Sequence, residues 1–187
     1  AEKIADYLRT CDIKVTTGVN RTGVVGVLKG VEPGPTLMLR ADMDALPVQE
    51  ATGLPFASVH PGVMHACGHD VHVACLLGAA RLLSETPPKK GEVRLIFQPS
   101  EEHPDEEGLS GAQRMIGDGV MDGVDAILCL HVWFDVLAGQ VALSPGPQMA
   151  SAGIFRARIH GQGGHVLPGQ LQQGEGADDV GPDESGR

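Results

Sequence analysis

The sequence predicts an α/β fold, in which a central mostly parallel or mixed sheet is flanked by helices. Stretches with helical spacing alternate with short apolar stretches along residues 2–130, which is the order typical of such folds. The run AILCL within residues 125–130 is apolar without a break, as in strands that are covered on both faces. The chain has 187 residues, and a chain of this size buries roughly 70% of its unfolded surface, enough for one substantial core.

Each element is predicted from its local pattern. In chain order we expect a helix over residues 2–9, strands over 22–28 and 36–40, a helix over 70–84, a strand over 92–98, a helix over 111–117 and a strand over 125–130. In the first helix Ile4, Tyr7 and Leu8 recur at helical intervals, whereas the strands are short aliphatic runs such as TLMLR. A Gly-Pro pair at residues 34–35 marks the turn before the second strand, and the double proline at residues 87–88 ends the second helix.

The second helix is the longest of the predicted helices. We expect Asp70 to cap it, because a carboxylate can accept hydrogen bonds from the free N–H groups of a first helical turn. Its apolar face consists of five aliphatic side chains, Val73, Leu76, Leu77, Ala80 and Leu83.

Charge and composition exclude several classes of function. The chain has 14 Lys and Arg against 24 Asp and Glu, a net charge of −10, whereas a nucleic-acid surface needs clustered basic residues. No apolar run reaches the roughly 20 residues that cross a bilayer, so we expect no membrane partner. The four cysteines are widely spaced and the chain does not open on a signal-peptide pattern. We therefore expect a cytoplasmic protein whose thiols are free or bound to metal.

Acidic and imidazole side chains follow three of the predicted strands, at the point where each strand ends. Asp42 and Asp44 follow one strand, Glu101 and Glu102 follow the next, and His131 follows the last. In open α/β sheets the ligand crevice lies outside the carboxyl ends of the strands, so we expect these side chains to meet at one edge.

The segment MHACGHDVH, residues 64–72, adds nitrogen and sulfur donors just before the long helix. Cys67 and His69 are two residues apart, so in an extended segment their side chains point the same way and can hold one cation. Thiolate and imidazole suit zinc or a related transition metal. For either residue alone we favour a packed cysteine or a hydrogen-bonded histidine. Together with His131 and the glutamate pair, they favour a metal site.

Glu101 and Glu102 are adjacent, so we expect them to have different roles. Glu102 would bind the metal, and Glu101 would take the proton of the water that the metal activates. A solvated acidic loop is the alternative, since the stretch continues as EEHPDEEG. A further alternative is a cysteine hydrolase with Cys67 as nucleophile and His69 as base. We rank it low, because their spacing directs both side chains to a third atom.

Five motifs in this sequence resemble those of the M20 metallopeptidase family: LRADMDALPVQE (39–50), MHACGHDVH (64–72), QPSEE (98–102), LHV (130–132) and GQGGH (161–165). They look most like its amidohydrolase branch, which contains hippurate hydrolases, N-acyl-amino-acid deacylases and auxin-conjugate hydrolases. The resemblance covers about residues 1–165 in the right order. It implies a two-metal hydrolase that cleaves the amide bond of a small N-acyl-amino acid.

The resemblance also implies a role for each matched residue. Two divalent ions, of zinc, manganese or cobalt, would be held by Cys67, His69, Glu102 and His131. Glu101 would be the general base and acid, and His165 would bind substrate and stabilise the tetrahedral intermediate. Many members have a metal-binding histidine where this chain has Asp42. We leave Asp42 out of the ligand set and expect Asp44 to orient a ligand.

From residue 150 onward the sequence predicts a change of domain. Residues 1–149 would be the N-terminal part of the catalytic domain, and residues 150–165, with an alternating strand at 153–160, the start of a lid domain. Residues 166–187 do not resemble the family and have no apolar period, so we expect disorder. No histidine follows His165, so we expect this chain to lack one ligand that the family implies and most of the lid, with its homodimer contacts. A catalytically impaired metal-binding fragment is therefore the alternative function.

Overall fold

The computed structural model describes residues 1–147, residue 149, and residues 163–167 and 170–174. Residues 1–141 form one compact unit and residues 142–187 a second. The elements of the first unit are, in chain order, α1 (Glu2–Thr10), β1 (Lys14–Val19), β2 (Gly23–Lys29), β3 (Glu32–Asp42), α2 (His69–Glu85), β4 (Lys90–Gln98), α3 (Gly111–Gly117) and β5 (Ala126–Cys129).

The sheet of the first unit is mixed, and β3 is the strand from which the next strands of the chain, β4 and β5, lie on opposite sides. The strand order is β1-β2-β4-β3-β5. In this order β3 runs parallel to both β4 and β5, whereas β2 is antiparallel to both β1 and β4. The chain leaves β3 through α2 to reach β4 on one side, and later passes through α3 to β5 on the other. A ligand crevice forms at such a switch point, outside the carboxyl ends of the parallel strands.

Apolar clusters lie on both faces of the sheet, because successive strand residues point to opposite faces. The larger cluster packs beneath α1 and α2, and its fully buried side chains are Leu8, Val24, Ala80, Leu95 and Phe97. The smaller cluster packs beneath α3 and has four buried members, Val25, Met38, Ile96 and Met115. Helices on both faces of a mixed sheet confirm the predicted α/β fold. Within the described residues, no helix is both long and apolar enough to cross a membrane.

The last strand of the sheet departs from its predicted environment. AILCL led us to expect a strand covered on both faces, but Ile127 is 47% exposed and Leu128 is 59% exposed. The reason is position: β5 is the edge strand, paired with β3 on one side and with no other described strand on its second side. That prediction was wrong for the part of the chain that the structure describes.

Two further differences lie near the ends of elements. Strand β1 was not predicted, because only two residues of KVTTGV are aliphatic. Pairing with β2 holds it in the sheet, where it is mostly exposed. Helix α2 begins at His69, and the residue that precedes it is Gly68, with a left-handed φ of 81°. Asp70, predicted as the cap, is instead an exposed acid of the first turn.

The second unit contains a hairpin of β6 (Gly163–Leu167) and β7 (Gln170–Gly174), in which His165 pairs with Gln172. We expected a flexible glycine loop up to residue 165 and disorder after it, so the described strands differ from that expectation. The strand predicted at residues 153–160 lies outside the described residues, and the proposed domain boundaries stay predictions.

Candidate metal centre

Donor side chains meet at the carboxyl ends of β3, β4 and β5, beside the first turn of α2. In the sheet register Asp42 lies opposite Gln98, so β3 and β4 end level with one another. The structure groups the donors into three sets whose ligand atoms all lie within 4.8 Å of one another: Cys67, His69 and His131; Asp42, His69 and His72; and His69, Glu101 and Glu102. His69 belongs to all three sets, so it is the centre of the cluster.

Two buried polar atoms in this cluster have no hydrogen-bond partner among the described residues. They are Nε2 of His69 and Oε1 of Glu102, and they lie 3.7 Å apart. Nδ1 of His69 lies 3.2 Å from Oδ1 of Asp44, so the ring proton sits on Nδ1 and Nε2 presents a lone pair. A buried lone pair beside a buried carboxylate oxygen is costly unless a cation joins them. The residues present therefore fit a divalent metal ion.

Cys67 and His131 supply the sulfur and a second imidazole. Cys67 Sγ lies 3.5 Å from Nε2 of His131, while Nδ1 of His131 donates to the carbonyl oxygen of Val132 at 2.6 Å. Burial, a hydrogen bond to Glu102 and nearby carboxylate charge raise the pKa of the Cys67 thiol to about 11. At neutral pH the thiol would keep its proton until a cation displaced it. Such a thiol, facing His131 rather than His69, does not suit the cysteine-hydrolase alternative.

Asp44 connects the histidine to the glutamate pair. Its Oδ2 accepts hydrogen bonds from the main-chain N–H groups of Glu101, at 2.8 Å, and Glu102, at 3.0 Å. Ser100 has a left-handed φ of 54°, and this turn lets both N–H groups face the same carboxylate. The Glu101 side chain is the more exposed of the pair, and its Oε2 lies 3.9 Å from Nε2 of His69. Glu101 therefore faces solvent at the mouth of the cluster, and Glu102 points into it.

Asp42 and His72 are buried beside His69, but their polar atoms are already engaged. Asp42 Oδ1 lies 2.6 Å from Nδ1 of His72, and its Oδ2 accepts from Arg40 at 2.7 Å. Burial opposes ionisation of Asp42, but His72 and Arg40 outweigh it and lower the pKa of the carboxyl below its usual value. The other nitrogen of His72, Nε2, accepts from the main-chain N–H of Val132 at 2.9 Å. Both nitrogens of His72 are therefore taken up by hydrogen bonds, and each oxygen of Asp42 already has one polar partner.

Sequence reasoning placed Cys67, His69, Glu101, Glu102, His131 and Asp44 at one site, and the structure brings these six residues together. It gave no definite role to His72. The signal for His72 is its spacing of three residues from His69, which places both imidazoles on the same face of α2. His165 lies on β6 in the second unit, and its role stays a prediction.

The fold and the cluster together define an α/β protein with a candidate metal centre at its topological switch point. The chain belongs to peptidase family M20/M25/M40, whose model matches residues 38–178. The match extends past residue 165, into the stretch that we expected not to resemble the family. This match confirms the resemblance that the five motifs carry.

Several relatives are similar over most of this chain. The N-acetyl-L-cysteine deacetylase of Bacillus subtilis is 47% identical, covering 87% of this chain and 38% of its own length. Thermostable carboxypeptidase 1 of Saccharolobus solfataricus is 50% identical over 87% of this chain and 41% of its own. The chain thus spans about two fifths of the length of these relatives.

A solved structure shares the fold. It is a Bacillus subtilis protein described as a dinuclear metal binding peptidase from the M20 family, 44% identical to this chain. The two superpose with a TM-score of 0.66 over 72% of this chain and 36% of that one.

Proposed function

We propose that this chain acts in the metal-dependent hydrolysis of the amide bond of N-acyl-amino acids. The observation that carries the proposal is the buried, unpartnered pair of His69 Nε2 and Glu102 Oε1, with an exposed carboxylate, Glu101, beside it. The names of the relatives support the substrate class. A deacetylase of an N-acetyl amino acid and a carboxypeptidase both cleave an amide whose nitrogen belongs to an amino acid.

The proposed ligands of two divalent ions are Cys67, His69, Glu102 and His131. Their sulfur, nitrogen and oxygen atoms suit zinc, cobalt or manganese, and a related protein is described as dinuclear. When bound, such ions would polarise the amide carbonyl and lower the pKa of a coordinated water.

Glu101 is proposed as the group that moves the proton. Its main chain is fixed by Asp44, while its side chain lies at the solvent side of the cluster. It would accept the proton of the attacking water as the new carbon–oxygen bond forms. It would then give that proton to the amide nitrogen as the carbon–nitrogen bond breaks, so that the products are a carboxylic acid and an amino acid.

His165 is proposed to help bind the substrate and to donate to the carbonyl oxygen as negative charge develops there. This role rests on the GQGGH motif alone and on the family resemblance.

A second candidate function is metal binding with impaired turnover. It needs only the donor cluster at the ends of β3, β4 and β5, which could hold a cation without hydrolysing a substrate.

The test is an assay of this chain on a panel of N-acyl-amino acids with added Zn²⁺, Mn²⁺ or Co²⁺, together with its metal content. Glu101→Gln should abolish turnover and leave the bound metal unchanged, because Glu101 is not proposed as a ligand. Glu106→Gln, an exposed glutamate on the same acidic loop, is the matched control and should behave as the parent.

Each outcome separates the candidates. Full activity in Glu101→Gln would contradict the role of Glu101. A parent chain that holds metal and hydrolyses none of the substrates would favour the second candidate function.

A further inference from the structure

We propose that His72 is a positioning residue: it holds the main chain at Val132 and thereby sets the His131 imidazole for metal binding. The inference rests on the proposed metal centre and adds a residue that touches neither metal nor substrate.

His72 has one fixed tautomer. Its Nε2 accepts the N–H of Val132, so Nε2 carries no proton, and the ring proton lies on Nδ1. Nδ1 then donates to Asp42 at 2.6 Å. The side chain of His72 is only 1% exposed, so water does not compete for either bond. The imidazole is therefore held at both nitrogens.

The bond chain through His72 starts in the sheet itself. Asp42, the last residue of β3, also accepts from Arg40, and Nε of Arg40 donates to Oε1 of Gln98 at 2.9 Å. Gln98 is the last residue of β4 and pairs with Asp42 in the register. Two neighbouring strands thus fix the carboxylate on which His72 rests.

The other end of the chain reaches a proposed metal ligand. The carbonyl oxygen of Val132 accepts from Nδ1 of His131, which leaves Nε2 of His131 facing Cys67. His131 itself is exposed and lies beyond the end of β5, so the sheet ladder does not hold it. The main chain of Val132 therefore connects the buried His72 to the exposed His131, so that the position of His72 determines that of the His131 ring.

Packing at Val132 agrees with this role. A Cβ placed on Gly68 would lie 2.5 Å from Cγ2 of Val132, so the valine sits directly on the turn between Cys67 and His69. The rings of His72 and His131 are also in edge contact, with centroids 4.6 Å apart. A small shift of Val132 would move the His131 imidazole relative to the thiol.

A rival interpretation makes His72 a direct metal ligand, since Asp42, His69 and His72 also lie within reach of one ion. Direct ligation would require His72 to release either Asp42 or the N–H of Val132. Two substitutions separate these interpretations. His72→Gln places an acceptor near the Nε2 position and loses the donor to Asp42. His72→Asn keeps a donor near the Nδ1 position and loses the acceptor for Val132.

The experiment is a titration of the chain with Co²⁺, which reports binding through the thiolate-to-cobalt absorption of Cys67. We expect His72→Asn to weaken Co²⁺ binding by about 10–100-fold, the usual effect of losing a group that orients a ligand. His72→Gln should bind Co²⁺ more tightly than His72→Asn and give the absorption spectrum of the parent.

A double-mutant cycle shows whether His72 acts through His131. In a His131→Ala background, His72→Asn should cause no further loss of Co²⁺ affinity, because the group it positions is gone. A merely structural role would cost affinity and thermal stability equally in both backgrounds.

Three results would overturn the inference: a folded His72→Asn variant that binds Co²⁺ as the parent does, a folded His72→Gln variant that loses binding, or additive losses in the cycle. A parent chain without the thiolate-to-cobalt absorption would instead contradict the proposed metal centre itself.

Discussion

The candidate metal centre has a buried half and an exposed half, and the two are held differently. His69, His72 and Asp42 are each at most 2% exposed and lie on α2 or at the end of β3. Glu101 and His131 are exposed and lie on loops. The buried half fixes ring tautomers and carboxylate directions, whereas the exposed half contains the groups proposed to meet solvent and substrate. Residues on α2 and at or just after the end of β3 orient the loops through hydrogen bonds to main-chain N–H groups. These N–H groups belong to Val132, Glu101 and Glu102.

Gly68 lies at the junction of the two halves, and Gly68→Ala is the change with the largest expected effect on it. The residue has a left-handed φ of 81°, and a Cβ there would overlap Val132. We expect a loss of about 1–3 kcal/mol in unfolding free energy, from backbone strain, together with weaker Co²⁺ binding. Urea unfolding and the cobalt titration would measure both.

The matched control is Gly78→Ala, on an exposed position of α2 where an added Cβ meets nothing within 4 Å. It should stabilise the chain by about 0.5–1 kcal/mol, because alanine favours a helix more than glycine does. If Gly68→Ala had the same unfolding free energy and Co²⁺ affinity as Gly78→Ala, the contact between the buried and exposed halves would not depend on the turn at Gly68.

Asp105 tests the loop that follows Glu101 and Glu102, and the expected effect is smaller. Its carboxylate accepts from Arg114 and from the N–H groups of Leu109 and Glu107, and these bonds lower its pKa from 3.8 to about 2. Because the folded-state pKa is lowered, the stabilisation is complete above about pH 4 and is lost as pH falls through about 2.

Asp105→Asn removes that titration. We expect the parent to be slightly more stable than this variant at pH 6, with the difference shrinking as pH falls from 4 toward 2. Thermal unfolding across this range is the measurement. A difference that grew toward low pH would contradict the assigned direction of the pKa shift.

Much of the exposed half could be predicted from the sequence. Glu101 and Glu102 come three and four residues after the strand predicted at 92–98, and His131 directly follows the run AILCL. Strand ends gather at one edge of an α/β sheet. The two-residue spacing of Cys67 and His69 likewise predicted that both side chains bind one cation. These are local patterns, so a single sequence shows them.

The contacts that orient the site could not be predicted, because they join residues far apart in the chain. His72 and Val132 are 60 positions apart, and the contact between them has no counterpart in local spacing. The exposure of β5 depends on which strands lie beside it. The apolar run AILCL does not indicate its neighbours. Strand β1 was missed because only two of its six residues are aliphatic, and its place depends on the pairing partner β2.

X-ray absorption at the zinc edge of the zinc-loaded chain tests the metal centre most directly. We expect sulfur at about 2.3 Å from zinc, averaged over two ions that have Cys67 as their only proposed sulfur ligand. Nitrogen and oxygen should lie at about 2.0–2.2 Å, and the sulfur should be lost in Cys67→Ser. A parent chain with only nitrogen and oxygen scatterers around zinc would contradict this expectation.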